Sequence, residues 1–508
     1  MAVHGTGTAS LIVFVLVVAF LSFLYLTDSY VTWPLVGLNV LTVLSLLWLW
    51  KLRQQDGGTE RRVCVLVLGD IGRSPRMQYH SLSLSKHGYN VTFVGFLDTK
   101  PHQDVLRQEK IRIAPIAEVK GVQGPKILKY VTKVIVQSLQ LLHVLLRMEL
   151  QSHILMQNPP GLPNIAVAWL VCVLRGSRFI IDWHNYGYTI MALSHGQRHP
   201  VVRLAKWYEH FFGPLATRNL CVTNAMKDDL HRNWGIKATT LYDRPASIFR
   251  ETPLKLQHEL FMRLASTYPQ FQHSGSEDVE LERTTFSVRD LSDGTVTLRA
   301  ERPALLLSST SWTEDEDFSI LLKALEEYEG FIKEGALLPS LVCVITGKGP
   351  QKEHYKKLID SLHLEHVKIC TPWLEAEDYP VLLGNLTETQ GLILSRDLIK
   401  LGGHSGPSTG DIWWPTVAMK AIRSCMFGCC LPVCAIHFNC LHELVKHEEN
   451  GLIFRDSQEL AEQLKSLLSE FPSSGGRLGL FRRNLRANRG QRWDKNWDQN
   501  VLPLFTTL

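Results

Sequence analysis

The chain is 508 residues long, with 45% apolar and 20% charged residues and a formal net charge of +5. That length suits two or three domains, the composition excludes a chain disordered throughout, and charge spread this thinly excludes the clustered Lys/Arg footprint of a nucleic-acid binder. A mildly basic surface near anionic lipid or phosphate fits better.

The first predicted elements are apolar. Residues 9–26, ASLIVFVLVVAFLSFLYL, carry no charge, and 33–50, WPLVGLNVLTVLSLLWLW, form a second apolar stretch. Each approaches the ~20 residues a spanning helix needs. A cleaved signal peptide is disfavoured because no Lys or Arg precedes the first stretch and a second one follows. The expectation is a membrane anchor over 1–52, of one span or two. Trp48 and Trp50 stand at interfacial positions, and Lys51, Arg53, Arg61 and Arg62 follow, so the positive-inside rule places everything downstream in the cytosol.

From residue 63 short β-branched runs alternate with amphipathic stretches. VCVLVLG, YNVTFVGF, IRIAPIA, HILMQNP, RFIIDWH, RNLCVTNA and ATTLYDRP predict strands, with helices between them. This rhythm implies a parallel sheet with right-handed crossovers. The predicted helix near 125–148 is aliphatic over most of its surface, with Lys126, Lys129 and Lys133 on one face. It has two readings: packing on the sheet, which is the simpler, or lying against the membrane to guide a lipid-linked substrate.

Residues 246–302 are polar and turn-rich and predict a linker with an exposed insertion. ALLLSSTSW restarts the alternation, followed by LVCVITGKGP, VKICTPWL, LPVCAIHF and GLIF, a second α/β unit. The expected division is an anchor over 1–52, an α/β domain over 61–245, a linker and insertion over 246–302, a second α/β domain over 303–480 and a helical tail over 481–508. Of the ten cysteines, five cluster at 425, 429, 430, 434 and 440 near His437, His442 and His447. Their spacing matches no paired Cys-x-x-Cys knuckle, so buried thiols in a reducing cytosol are preferred to a metal site.

In open α/β sheets ligands gather beyond the carboxyl ends of strands. Four such exits are unusual. GDIGRSPRMQYH places Asp70, Gly72, Arg73 and Arg76 where a strand hands over to a helix, which suits an anion at the helix N-terminus; equally, Asp70 could cap the helix and the arginines face solvent. QNPPGLP stiffens a second exit. DWHNYGY gathers Asp182, His184, Asn185 and two tyrosines, a density that suits sugar recognition. GKGP sets Lys348 between Gly347 and Gly349, fit for a diphosphate. Two such domains facing a cleft would be the glycosyltransferase B-type architecture.

With CVTNAM, SSTSWTEDEDF, CTPWLEAEDYP and HELVKHEENGL added to these motifs, the chain resembles the chitobiosyldiphosphodolichol beta-mannosyltransferase family of the endoplasmic reticulum. The resemblance implies transfer of mannose from GDP-mannose to dolichyl-diphosphate chitobiose, with inversion to a β1,4 linkage, at the cytosolic face of the endoplasmic reticulum membrane. Implied partners are the membrane lipid and other mannosyltransferases of the same pathway, with no cofactor and no metal. The resemblance assigns Ser309, Thr310, Gly347, Lys348 and Gly349 to the donor, and Gly72, Arg73, Asp182 and Asn185 to the acceptor. Asp70 is the first choice for the base that deprotonates the acceptor hydroxyl, and His184 the second. The family pattern is interrupted over 385–426, where His404, Ser408, Thr409, Gly410, Asp411 and Lys420 echo it at longer spacing and Cys425 replaces a carboxylate expected at the donor ribose. A catalytically impaired membrane-bound isoform is therefore the alternative function.

Overall fold

The computed structural model describes residues 32–119, 125–244, 251–273, 280–310, 312, 317–375, 378–385, 392–395, 427–437, 441–473, 475–487 and 492–506. Two compact units divide the chain: Met1–Asp182 with Arg198–Arg218, and Trp183–Gln197 with Asn219–Leu508.

All seven strands expected before residue 245 are present: β1 (Arg62–Asp70), β2 (Asn90–Phe96), β3 (Ile111–Pro115), β4 (His153–Asn158), β5 (Arg178–Trp183), β6 (Arg218–Cys221) and β7 (Ala238–Thr240). Their order is β3-β2-β1-β4-β5-β6-β7. Strand β1 pairs in parallel with β2 and β4, placing Val63 opposite Val91 and His153. Val63 to Val67 are wholly buried. An unbroken apolar run is what a strand covered on both faces requires, and it leaves the polar residues to the strand ends, where Asp70 stands.

The 246–302 region is more than an exposed linker. A three-stranded antiparallel sheet of β8 (Leu281–Arg283), β9 (Ser287–Asp290) and β10 (Val296–Leu298) lies within it. The helix Leu254–Ala265 supplies Phe261, which stacks 4.7 Å from Phe286 and lies 5.6 Å from Phe271, all three fully buried. Local polarity misled because the aromatic residues are spaced too widely to read as one apolar face.

The second sheet runs β13-β12-β11-β14-β15-β16, with β11 (Ala304–Ser309), β12 (Leu341–Thr346), β13 (Val367–Cys370), β14 (Leu392–Ser395), β15 (Val433–Ile436) and β16 (Gly451–Phe454). Every neighbour is parallel. Leu305, Leu307, Val342, Val344 and Val433 enter one apolar cluster, while Ala304, Leu306, Leu341, Cys343 and Cys434 enter another. That two-residue alternation gives each face its own core. Strand β14 sits within the interrupted segment. Residues 396–426 lie outside the described residues, and with them His404, Ser408, Thr409, Gly410, Asp411, Lys420 and Cys425. Among the clustered cysteines, Cys429, Cys430 and Cys434 are buried, and burial pushes the Cys434 thiol up.

The first apolar stretch, 9–26, also lies outside the described residues. The second falls on the helix Thr32–Leu52, whose side chains are described from Val40. Among the described residues no helix is long and apolar enough to cross a membrane. Arg53 just beyond that helix donates from Nε to Leu174 O (3.1 Å) and from Nη2 to Val173 O (2.7 Å). The helix Lys126–Arg147 buries Gln137, Leu141 and Leu145 on one side, in line with packing on its own domain.

Candidate active site

In the first unit β1 ends at Asp70, a single tight turn covers Ile71–Arg73, and Pro75 opens the helix Pro75–Lys86. Asp70 Oδ1 accepts from the Gly72 N–H (3.2 Å) and the Thr99 N–H (3.1 Å). Glycine is obligatory at 72, since a Cβ there would stand 2.5 Å from the Thr99 carbonyl oxygen. From below, Gln78 Nε2 donates to the carbonyls of Ile71 (3.0 Å) and Gly72 (3.2 Å). One carboxylate oxygen of Asp70 therefore fixes the turn. The other, Oδ2, is buried with no hydrogen-bond partner among the described residues, and Arg73 Nε approaches it to 3.5 Å from a side chain that is 82% exposed. The Arg73 end of this ion pair lies in water, where such pairs contribute little, and no hydrogen bond is made, so Oδ2 keeps its acceptor capacity.

Arg76 fits neither expectation for it. It is fully buried rather than solvated, and its charge is already matched: Nε donates to Asp182 Oδ2 (2.7 Å) and Nη2 to Asp182 Oδ1 (2.9 Å). His80 Nε2 lies 3.2 Å from the same Oδ2. Asp182, expected to touch the acceptor, is fully buried as well. Buried there, it cannot reach an acceptor in solvent; instead it ties the strand before His184 to the helix after Asp70. Sequence spacing could not pair residues 106 positions apart.

The rest of the DWHNYGY turn, from Trp183 onward in the second unit, also spends most of its groups internally. Tyr186 is buried, stacks 4.7 Å from Trp234 at an interplanar angle of 16°, and donates its hydroxyl to Asp229 Oδ2 (2.6 Å). Tyr188 stacks 5.5 Å from Tyr186. Tyr186 is thus core rather than an open platform for sugar, with Tyr188 half-buried beside it. Asn185 Oδ1 accepts from the Tyr186 N–H (2.8 Å), ahead of the helix Gly187–His195. His184 is half-buried.

The strand exits of the second sheet bring Ser309, Thr310, Gly347 and Lys348 together. Thr310 N donates to Thr346 O (2.9 Å), Thr346 Oγ1 donates to Ser309 Oγ (3.1 Å), and Ser309 Oγ lies 2.8 Å from the Tyr379 hydroxyl. Gly347 has φ +139°, and a Cβ there would come within 1.8 Å of Thr310 O, so only glycine allows the two loops this close. Lys348 is exposed, its Nζ 3.7 Å from the ring centroid of Trp373. Gly349 is exposed beside it. Lys352 Nζ donates to Thr371 O (2.9 Å), and burial, then the neighbouring Lys356 and Lys348, holds its pKa down against the pull of Glu353. Trp373 and Tyr379 were not singled out from sequence, although both stand in CTPWLEAEDYP.

Two other motifs meet in the same unit. Glu443 of HELVKHEENGL accepts from the backbone N–H groups of Asn224 (3.0 Å) and Ala225 (2.9 Å) of CVTNAM, and from the Tyr242 hydroxyl (2.9 Å). A carboxylate at the start of the helix Asn224–Trp234 satisfies open N–H groups and faces the positive dipole end.

No protein-family model matches the chain. A human chitobiosyldiphosphodolichol beta-mannosyltransferase is 54% identical over 472 residues, covering 92% of this chain and 98% of the relative. The mouse protein of that name is 54% identical over 473 residues, covering 93% and 94%. The chain belongs to the chitobiosyldiphosphodolichol beta-mannosyltransferase family. It is thus a hexosyltransferase. Among solved structures, Anabaena Alr3699/HepE in complex with UDP and glucose superposes with TM-score 0.54 at 13% identity, covering 88% of this chain and all of that one. The sucrose-phosphate synthase of Thermosynechococcus elongatus gives 0.56 at 12%, covering 86% and 96%. At such identity the likeness concerns the fold, and it agrees with two Rossmann-like sheets of the glycosyltransferase B type.

Proposed function

We propose that this mannosyltransferase takes GDP-mannose as donor and dolichyl-diphosphate chitobiose as acceptor, forming the β1,4 linkage by a single inverting displacement. Asp70 is the base. As the acceptor 4-hydroxyl attacks the anomeric carbon, its proton passes to Asp70 Oδ2, the C–O bond to the GDP oxygen breaks, and GDP leaves with the bonding electron pair. His184 is the second candidate for the proton. Gly72, Arg73 and Asn185 receive the acceptor, while Asp182 acts through Arg76 as a positioning residue. Ser309, Thr310, Gly347 and Gly349 shape the donor loops, and Lys348 leaves the Trp373 ring to neutralise the departing diphosphate.

The observation that carries this reading is the division of labour in Asp70: Oδ1 holds the turn through two backbone N–H groups, while Oδ2 has no hydrogen-bond partner among the described residues. A base needs such a preoriented acceptor. The cationic run Lys51, Arg53, Arg61 and Arg62 after an apolar N-terminus supports an anchor of one or two spans over 1–52, the rest facing the cytosol at the endoplasmic reticulum, near other enzymes of the pathway. The domains are an acceptor-binding 61–245, a linker region 246–302, a donor-binding 303–480 and a helical tail 481–508.

The test is mannose transfer from GDP-mannose to phytanyl-diphosphate chitobiose by the parent and by Asp70→Asn. The variant should lose roughly 10²–10⁴-fold in kcat, the usual contribution of a general base, with GDP binding by calorimetry unchanged. Parent-like turnover would remove Asp70 from the mechanism. Transfer from another nucleotide sugar in preference to GDP-mannose would overturn the donor assignment.

A further inference from the structure

In the first unit the helix Lys126–Arg147 packs against Asn164–Arg175, which in turn packs against Pro200–Phe212 and against Thr32–Leu52. Their outward side is apolar to a degree a water-facing surface rarely is. Leu128, Ile135, Leu139, Leu204, Trp207 and Phe211 are each more than half exposed, and the rings of Trp207 and Phe211 stack 5.6 Å apart in the open. Contiguous apolar surface of this kind marks a docking face.

Charge narrows the partner. The helices 126–147, 164–175 and 200–212 hold a single carboxylate, Glu209, and it is buried, accepting from Asn158 Nδ2 (3.0 Å). Lys129, Arg147, Arg203 and Lys206 are exposed on the same helices. Exposed aliphatic and aromatic side chains rimmed by cations, with no exposed acid on these three helices, complement an anionic lipid surface. The face also continues from the apolar N-terminus, because Arg53 binds the Val173 and Leu174 carbonyls at the end of the middle helix.

We propose that the apolar face of the helices 126–147 and 200–212 rests in the headgroup region of the bilayer, so that the first unit lies on the membrane as well as being tethered to it. This rests on the anchor reading given above. The consequence is that a lipid-linked acceptor arrives along the membrane plane rather than from water.

The test uses the full chain in nanodiscs of phosphatidylcholine and phosphatidylserine carrying a diazirine-tagged phospholipid. After irradiation and digestion, peptides spanning 128–139 and 204–211 should be labelled together with 33–50. Labelling confined to residues 1–52 would overturn the proposal and leave the anchor intact; no labelling of 33–50 would instead strike at the anchor. Leu139→Glu combined with Phe211→Glu should reduce labelling of both peptides about fivefold or more, since a charge opposes interfacial burial, without lowering the thermal unfolding midpoint. Should that pair misfold, Leu139→Ser with Phe211→Ser replaces it. A native mass of two chains that these substitutions convert to one would assign the face to self-association and refute lipid docking.

Discussion

Asp182→Asn isolates one buried charge while keeping the side-chain shape. Arg76 and Asp182 are both fully buried and joined by two hydrogen bonds of 2.7 and 2.9 Å, and an arginine cannot shed its proton to relieve an unmatched charge. Removing one partner of such a pair typically costs ~3–5 kcal/mol. The amide keeps one acceptor oxygen, so the loss for Asn should lie near the lower end, about 3 kcal/mol, and for Asp182→Ala near the upper. With a urea slope of roughly 2–3 kcal/mol per molar, the Asn variant's midpoint falls by about 1–1.5 M. Hydrogen exchange of peptides from β1 and β5 across a urea series reads this locally. Arg76→Met with Asp182→Leu removes both charges and should recover to within about 1 kcal/mol of the parent, because the desolvation cost disappears with the pair. A shift below about 0.3 M for Asp182→Asn, or a double variant no more stable than the single ones, would refute the assignment of this pair as the tie between the two strand exits.

Lys348→Ala should weaken GDP binding by about tenfold or more in calorimetry, the scale of losing a charge-assisted contact to a diphosphate; unchanged affinity would exclude it from the donor site. Glu443→Ala strips the start of the helix Asn224–Trp234 of its carboxylate and should cost about 1–2 kcal/mol of stability by denaturation, against near-parental stability if the contact is incidental. Burial alone would raise the Glu329 carboxyl, but hydrogen bonds from the His366 ring and the N–H groups of His366, Glu365 and Val367 outweigh it and hold the pKa at about 2 against an ordinary 4.5. The folded value is the lower, so this stabilisation is complete above pH 4.5 and disappears as pH falls toward 2. Unfolding midpoints followed through that window should drop more steeply for the parent than for Glu329→Gln, and parallel curves would contradict the linkage.

Strands were legible because burial on both sheet faces writes itself as a continuous apolar run, and the two glycines at strand exits were legible because a close approach tolerates nothing larger. Gly72 and Gly347 each face a backbone carbonyl that a Cβ would strike. What a polar residue does once it reaches a strand end was far less so. Asp70, Arg73, Arg76 and Asp182 look alike in sequence, each a charged group at an exit, yet two are sealed inside as a pair and one is largely in water. The difference is set by partners over a hundred positions away, which local spacing does not encode. The aromatic turn misled for the same reason, since Trp234, on which Tyr186 stacks, comes 48 residues later.

Those sealed groups bear on the role proposed for Asp70, because a base works only if its lone pair is held in place before the substrate arrives. Gln78 fixes the carbonyls of the 71–72 turn, Oδ1 of Asp70 binds two N–H groups, and the Arg76–Asp182 pair anchors the helix that follows. Each of these polar groups is consumed by structure, which lowers the reorganisation needed at the turn. Damage to Gln78 should therefore register in turnover before it registers in GDP affinity: Gln78→Leu keeps the volume, removes both carbonyl contacts, and should lower kcat while leaving calorimetric GDP binding at the parental value. An equal loss in both would mean that the turn does not act on the acceptor alone, and the separation of roles between Asp70 and Lys348 would have to be abandoned.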